Sequence, residues 1–173
     1  MDNKIVKPKF IFITSAIAIA AASRLLPHPD NFTPIAAMAL FGGVHFSNKK
    51  LAFIVPLLAM ILSDIFIGFH NLIAYVYISF FITTTIGFFL RKNLRIHSVL
   101  IASLISSVLF FLITNFGVWA AGGMKGGVAG LTAVYELGIP FFRNTFTGDL
   151  MYNAILFGSF YLASLKFPKL SKI

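Results

Sequence analysis

Cysteine is absent from the 173 residues, which excludes a disulfide framework, a thiolate metal site and a cysteine nucleophile. Acidic side chains are almost as scarce. Five Asp and Glu stand against fourteen Lys and Arg, a formal charge of +9, yet charged residues make up only 11% of the chain. The basic residues lie in small clusters between long apolar runs, not in one stripe interleaved with exposed aromatics, so the charge does not mark a nucleic-acid surface. No Gly-Lys-Ser/Thr follows the glycine-rich stretch near residue 125, so the chain carries no phosphate loop of its own. Internal repeats, low-complexity tails and linkers are also missing, and the chain reads as one domain over residues 1–173.

Apolar surface is what the chain has in abundance. Hydrophobic residues make up 58% of it and 21 positions are Phe, more than a water-soluble core of this size hides. A bilayer core of about 30 Å takes roughly 20 apolar residues per helix. On that measure the sequence predicts six elements: Phe10 to Leu26, a short second over Pro34 to Phe46, Leu51 to Phe69 with a kink at Pro56, Leu72 to Leu90, Val99 to Ala120, and Asp149 to Lys166. Leu131 to Phe142 is a further half-length apolar stretch outside the six. The start also mimics a signal peptide, with Lys4 to Lys9, an apolar run and Ala20-Ala21-Ala22. The run continues through Leu25 and Leu26, which favours a retained span.

Orientation follows from the basic residues beside the helix ends. Lys4, Lys7, Lys9, Lys49, Lys50, Arg91, Lys92, Arg95, Lys166, Lys169 and Lys172 all fall on one side if every element crosses, leaving Arg24, Lys125 and Arg143 on the other. The expectation is an all-α, polytopic membrane protein, a six-transmembrane-helix bundle with a short second helix. Both termini are cytoplasmic, and the chain lies in the bacterial inner (cytoplasmic) membrane.

The unusual polar residues then gather at the outer face. Arg24, His28, Asp30 and Asn31 lie in the first outer loop, Asp64 at the outer end of the third element, and His70 after it. Tyr75 and Tyr77 lie within the fourth, with one of the two expected to face the site because residues two apart on a helix point in different directions. Asn115 and Trp119 end the fifth, and Arg143, Asp149 and Asn153 surround the start of the sixth. An ionisable group in hydrocarbon costs about 2.5 to 3.5 kcal/mol at a helix centre, so such groups face a cavity, a partner or the interface. They read as an externally open ligand-binding site. Asp64 requires a cationic partner, Arg24 or Arg143, in either a structural pair or a ligand contact. No catalytic constellation, no resident cofactor and no metal site is read.

Two further patterns concern the backbone. Phe41-Gly42-Gly43 closes the short second element, and Ala121 to Gly130 forms a glycine-rich outer loop, either a lid over the pocket or a solvated tether. In the first element Ala16 and Ala20, like Ala18 and Ala22, are four apart, a spacing that lets another helix approach closely, from within the bundle or from a partner subunit.

A chain of this size with six helices, an alanine stripe on the first and an outward pocket capped by loops resembles the substrate-binding S components of energy-coupling factor (ECF) vitamin importers. The segment Arg24-Leu25-Leu26-Pro27-His28-Pro29-Asp30-Asn31-Phe32-Thr33-Pro34, with Pro56 to Asp64 and Asn115-Phe116-Gly117-Val118-Trp119, is similar to a set of uncharacterised transport proteins. More distantly it is similar to the solitary cobalamin-binding S components (BtuM type), with His28, Asp64 and Arg143 at the matching places. The resemblance implies cobalamin or a related vitamin as the transported ligand. It also implies docking of Ala16 and Ala20 on a transmembrane coupling subunit driven by cytoplasmic ATPases. The cysteine that ligates cobalt in the BtuM type has no counterpart, leaving an imidazole of His28 or His70 as the nitrogen donor. Three readings follow: a transport component that binds without turnover, an intramembrane enzyme using His28 with Asp64 or Asp149 on an amphiphile, and an assembly protein whose polar groups satisfy one another.

Overall fold

The computed structural model describes residues 8–170. Six α-helices run through the described residues: α1 Pro8–Ser23, α2 Ile35–His45, α3 Lys49–Ile67, α4 Ile73–Leu90, α5 Ile96–Ala120 and α6 Val128–Lys166, with no strand among them. Lys4, Lys7 and Lys172 of the basic pattern lie outside the described residues.

The bundle is apolar outside, and several polar side chains are buried within its apolar core. Phe66 and Ile96 are 78% and 84% exposed, while Ser79, Thr83, Thr84, Ser103, Ser107, Asp149 and Asn153 are buried. An apolar exterior suits hydrocarbon, where surface groups need no water and buried polar groups must find one another. Helix α3, α4 with the turn that follows it, and α5 are each long and apolar enough to cross a membrane, which makes this a membrane protein; α1 and α2 are shorter.

Helix α2 is the axis of the bundle. All eleven of its residues are buried, and it touches α1, α3, α4, α5 and α6. At 1.5 Å per residue it is about 16 Å long, half the hydrocarbon thickness, and its enclosure is what the half-length run in the sequence meant. It packs this tightly because of glycine. A Cβ on Gly43 would collide with the Thr84 carbonyl and lie 2.9 Å from the Gly87 Cα, and one on Gly42 would lie 2.7 Å from Pro56 Cγ. Around its far end Phe41 meets Phe157 and Phe160 edge-on, and His45 lies over Phe160 at 4.0 Å between centroids.

The other helices begin and end for local reasons. Asn48 caps α3 by accepting from Lys50 N–H at 2.8 Å, and Gly68, at φ 101°, closes it with its N–H on the Asp64 carbonyl. The helix continues through Pro56, which is fully buried. Arg91, just past α4, donates to the carbonyls of Gly43 (2.6 Å) and Phe46, so a cation satisfies the C-terminal carbonyls of α2.

The largest departure from the sequence reading is α6. In place of a helix over Asp149 to Lys166 and a separate stretch over Leu131 to Phe142, one helix of 39 residues runs through Pro140. It is about 58 Å long, well over the bilayer core. Hydropathy dips at Arg143 to Asp149 and suggested a break. A helix, however, is interrupted by lost backbone hydrogen bonds and not by polarity, and Thr145 and Thr147 in the dip bond back to the carbonyls of Phe141 and Arg143. The glycine-rich loop is correspondingly shorter, residues 121–127, with positive φ at Gly122, Gly126 and Gly127.

Candidate ligand-binding site

Where α1, α3 and α5 finish and α4 begins, a cavity of about 590 Å³ opens between the first loop, the 121–127 loop and the first turns of α6. That volume is within the range of small-molecule sites. The described basic clusters at Lys49, Lys50, Arg91, Lys92 and Arg95, with Lys166 and Lys169, border the other end of the bundle.

An ion pair forms part of its wall. Arg24 Nη2 lies 2.7 Å from Asp64 Oδ1, with both side chains almost wholly enclosed, and Tyr77 Oη donates to Asp64 Oδ2 at 2.8 Å. Arg24 Nη1 donates to Ser63 Oγ and, at 3.5 Å, to the Met60 carbonyl. One donor in this network is unused: Arg24 Nε is buried and has no hydrogen-bond partner. Tyr75, two residues from Tyr77, packs instead on α5, its ring against Gly117 and edge-on to Phe116 at 6.4 Å.

The two rim histidines present different faces. His28 Nδ1 is 3.0 Å from the Pro29 carbonyl, which only accepts, so Nδ1 carries a proton and donates. His70 Nδ1 accepts from Leu72 N–H at 3.2 Å, which leaves Nε2–H as a donor. Asn31, at φ 61°, belongs to the same rim, and Asn144 Nδ2 donates to the Asp30 carbonyl at 3.0 Å, tying the first loop to α6. Asn115 lines the cavity with its amide turned back on the Phe111 carbonyl at 2.8 Å.

Of the residues read from sequence, Arg24, His28, Asn31, Asp64, His70 and Asn115 come together around the cavity, and Tyr77 touches it through Asp64. Trp119 and Arg143 do not line it. Trp119 Nε1 donates to the Gly127 carbonyl at 3.1 Å and so anchors the glycine-rich loop. Arg143 is exposed on α6 and takes no part in the Asp64 pair, which belongs to Arg24. Asp149 and Asn153 were placed at the outer start of a helix; the continuous α6 carries them to mid-bundle, buried against α5. Asp30, Thr33, Thr114, Met124, Val134, Leu137, Gly138 and Phe141 also line the cavity. The α6 wall was legible as an i, i+4, i+7 stripe of Val134, Gly138 and Phe141, but lay in the stretch left outside the six elements.

Ala16 and Ala20 border a second hollow, an apolar groove of about 1020 Å³ between α1 and α6. Ala20 is buried and Ala16 half-buried, whereas Ala18 and Ala22 are exposed.

The anchoring role of Trp119 has a measurable consequence. Trp119→Phe removes one hydrogen bond, about 1 kcal/mol, and hydrogen exchange over residues 121–127 is expected to accelerate roughly fivefold with the helix cores unchanged.

Fold and cavity together define a helical membrane protein with a ligand-sized cavity, mainly apolar with a few polar groups, at one end of its bundle. The chain belongs to a family of unknown function, DUF6580, whose family model matches residues 4–170. No curated protein and no solved structure matches it.

Proposed function

We propose that this chain is the ligand-capturing component of a bacterial micronutrient importer of the ECF S-component kind. On this reading the bundle lies in the inner membrane with six crossings, cavity outward, both termini and the basic end in the cytoplasm. The observation that carries the proposal is the cavity itself, a ligand-sized opening with the Arg24–Asp64 pair in its wall and His28, Asn31 and His70 at its rim. A few polar groups set in an apolar lining orient a small molecule, the arrangement typical of sites of this volume. His70 offers a donor at the rim and His28 an imidazole, while Val134, Leu137 and Phe141 offer an apolar wall.

Cobalamin is the first ligand to test. Its amide-bearing rim supplies acceptors for Arg24 and His70, and its cobalt suits the His28 imidazole. A cavity of about 590 Å³ takes part of a corrinoid, with the 121–127 loop closing on the remainder. Inward release is assigned to a transmembrane coupling subunit with cytoplasmic ATPases, docked on α1 at Ala16 and Ala20.

The test is a thermal-shift and calorimetric screen of detergent-purified protein against corrinoids and other water-soluble vitamins, where a ligand at 100 times its Kd adds about 2.7 kcal/mol of stability. A saturable hit that Leu137→Trp removes by filling the cavity supports capture. Ala16→Leu is expected to retain that binding and to lower uptake in cells. Flat curves from folded protein favour the assembly reading, in which Arg24, Asp64 and Tyr77 only hold helices together.

A further inference from the structure

Beyond the outer cavity, the interface of α5 and α6 holds a carboxylate that no part of the proposed capture site uses. Asp149 is 1% exposed in the middle of the bundle. Its Oδ2 accepts from Ser107 Oγ at 2.7 Å, and the Arg24–Asp64 pair is the one ion pair among the described residues, so no cationic side chain balances it. Helix adhesion alone needs no charge; an amide or hydroxyl serves.

The surroundings of Asp149 are rich in acceptors. Ser107 has one hydrogen and two acceptors in range, Asp149 Oδ2 and the Ser103 carbonyl at 3.0 Å. One helical turn beyond Asp149, Asn153 Nδ2 donates to Ser103 Oγ at 3.0 Å, which leaves Asn153 Oδ1 buried with no partner. Ser106 Oγ, on the same stretch of α5, is likewise buried and unpartnered. Oxygen atoms in want of an electropositive guest therefore concentrate beside a carboxyl group that has no cationic partner.

We propose that Asp149, Ser107, Ser103 and Asn153 form a binding site for a monovalent metal cation of the sodium class. All-oxygen ligation selects hard cations over zinc or copper. A single carboxylate makes the site neutral with a monovalent ion, whereas a divalent ion leaves a net charge in a low-dielectric interior. No cluster of three or more His, Cys, Asp or Glu suited to a transition metal exists among the described residues. The route in is a separate cavity of about 620 Å³ lined by Ser103 and Asn153 and, toward the basic end, by His45 and Arg95. Arg95 lies about 12 Å along α5 from Ser103, too far to offset direct oxygen contacts.

The experiment uses the purified full chain with no organic ligand, so it stands or falls separately from vitamin capture. Unfolding temperature is measured in sodium, potassium, lithium and choline chloride at one ionic strength. Wild-type protein is expected to show a saturable rise in sodium that choline does not reproduce. Asn153→Leu is expected to weaken the apparent sodium affinity by at least the roughly tenfold that even an outer-shell partner is worth. Asp149→Asn, nearly isosteric, is expected to abolish the sodium response. Identical wild-type curves in sodium and choline overturn the proposal whatever the variants do. A cation-independent curve that rises only on acidification, and ceases to do so in Asp149→Asn, also overturns it and assigns a proton to the carboxylate.

Discussion

Asp64→Ala is expected to lower the stability of the detergent-purified protein by about 3–5 kcal/mol, the cost of leaving one member of a buried ion pair without the other. The estimate applies because both side chains are enclosed, 8% exposed for Arg24 and 4% for Asp64, so water does not replace the lost carboxylate. Two groups are stranded together: the Arg24 guanidinium loses its counter-ion and the Tyr77 hydroxyl its acceptor. Replacing the pair by Arg24→Met with Asp64→Leu is expected to recover most of the loss, because removing both charges also removes the desolvation penalty. Thermal unfolding of the two variants beside wild type reads both. An Asp64→Ala protein as stable as wild type contradicts the enclosed geometry. The same prediction explains why cavity filling by Leu137→Trp reports on ligand binding more cleanly than any change at Asp64.

Gly43→Ala is the second large effect, expected at the upper end of the roughly 1–3 kcal/mol that overpacking costs. The new methyl meets the Thr84 carbonyl and the Gly87 Cα, both backbone atoms of α4, so no side-chain rotation relieves the contact. Helix α2 must then separate from α4. Since Ile35 borders the cavity at one end of α2 and His45 the cavity at the other, that separation disturbs both. Gly158→Ala, where an added Cβ meets nothing within 4 Å, is the matched control and is expected to lie close to wild type. Equal unfolding temperatures for the two variants rule out the close α2–α4 crossing.

How far the sequence was legible differs from helix to helix. The apolar runs of α3, α4 and α5 located those helices to within a few residues, because hydrocarbon-facing helices are written as continuous hydropathy. Helix α6 was divided in two, because Arg143 to Asp149 breaks the hydropathy while leaving the hydrogen-bond ladder whole. In the first loop Arg24, His28 and Asn31 stand out against an apolar chain, and all three border the cavity. Arg143 and Trp119 were chosen by nearness along the chain to the outer end, but the direction in which a helical side chain points depends on which face its helix buries.

Composition and the order of residues alone determined that the chain is helical and belongs in a membrane, and that its polar groups are few enough to matter singly. Those properties follow from local physics: the length of each apolar run and the cost of exposing it to water. Pairings across the bundle were decided only by the tertiary structure. Asp64 chose Arg24 over Arg143, α2 became the enclosed axis, and Asp149 and Asn153 moved from the outer rim to the interface with α5. Each depends on contacts between residues far apart in the chain, and a buried charge takes its partner from whatever the packing of helices brings within reach.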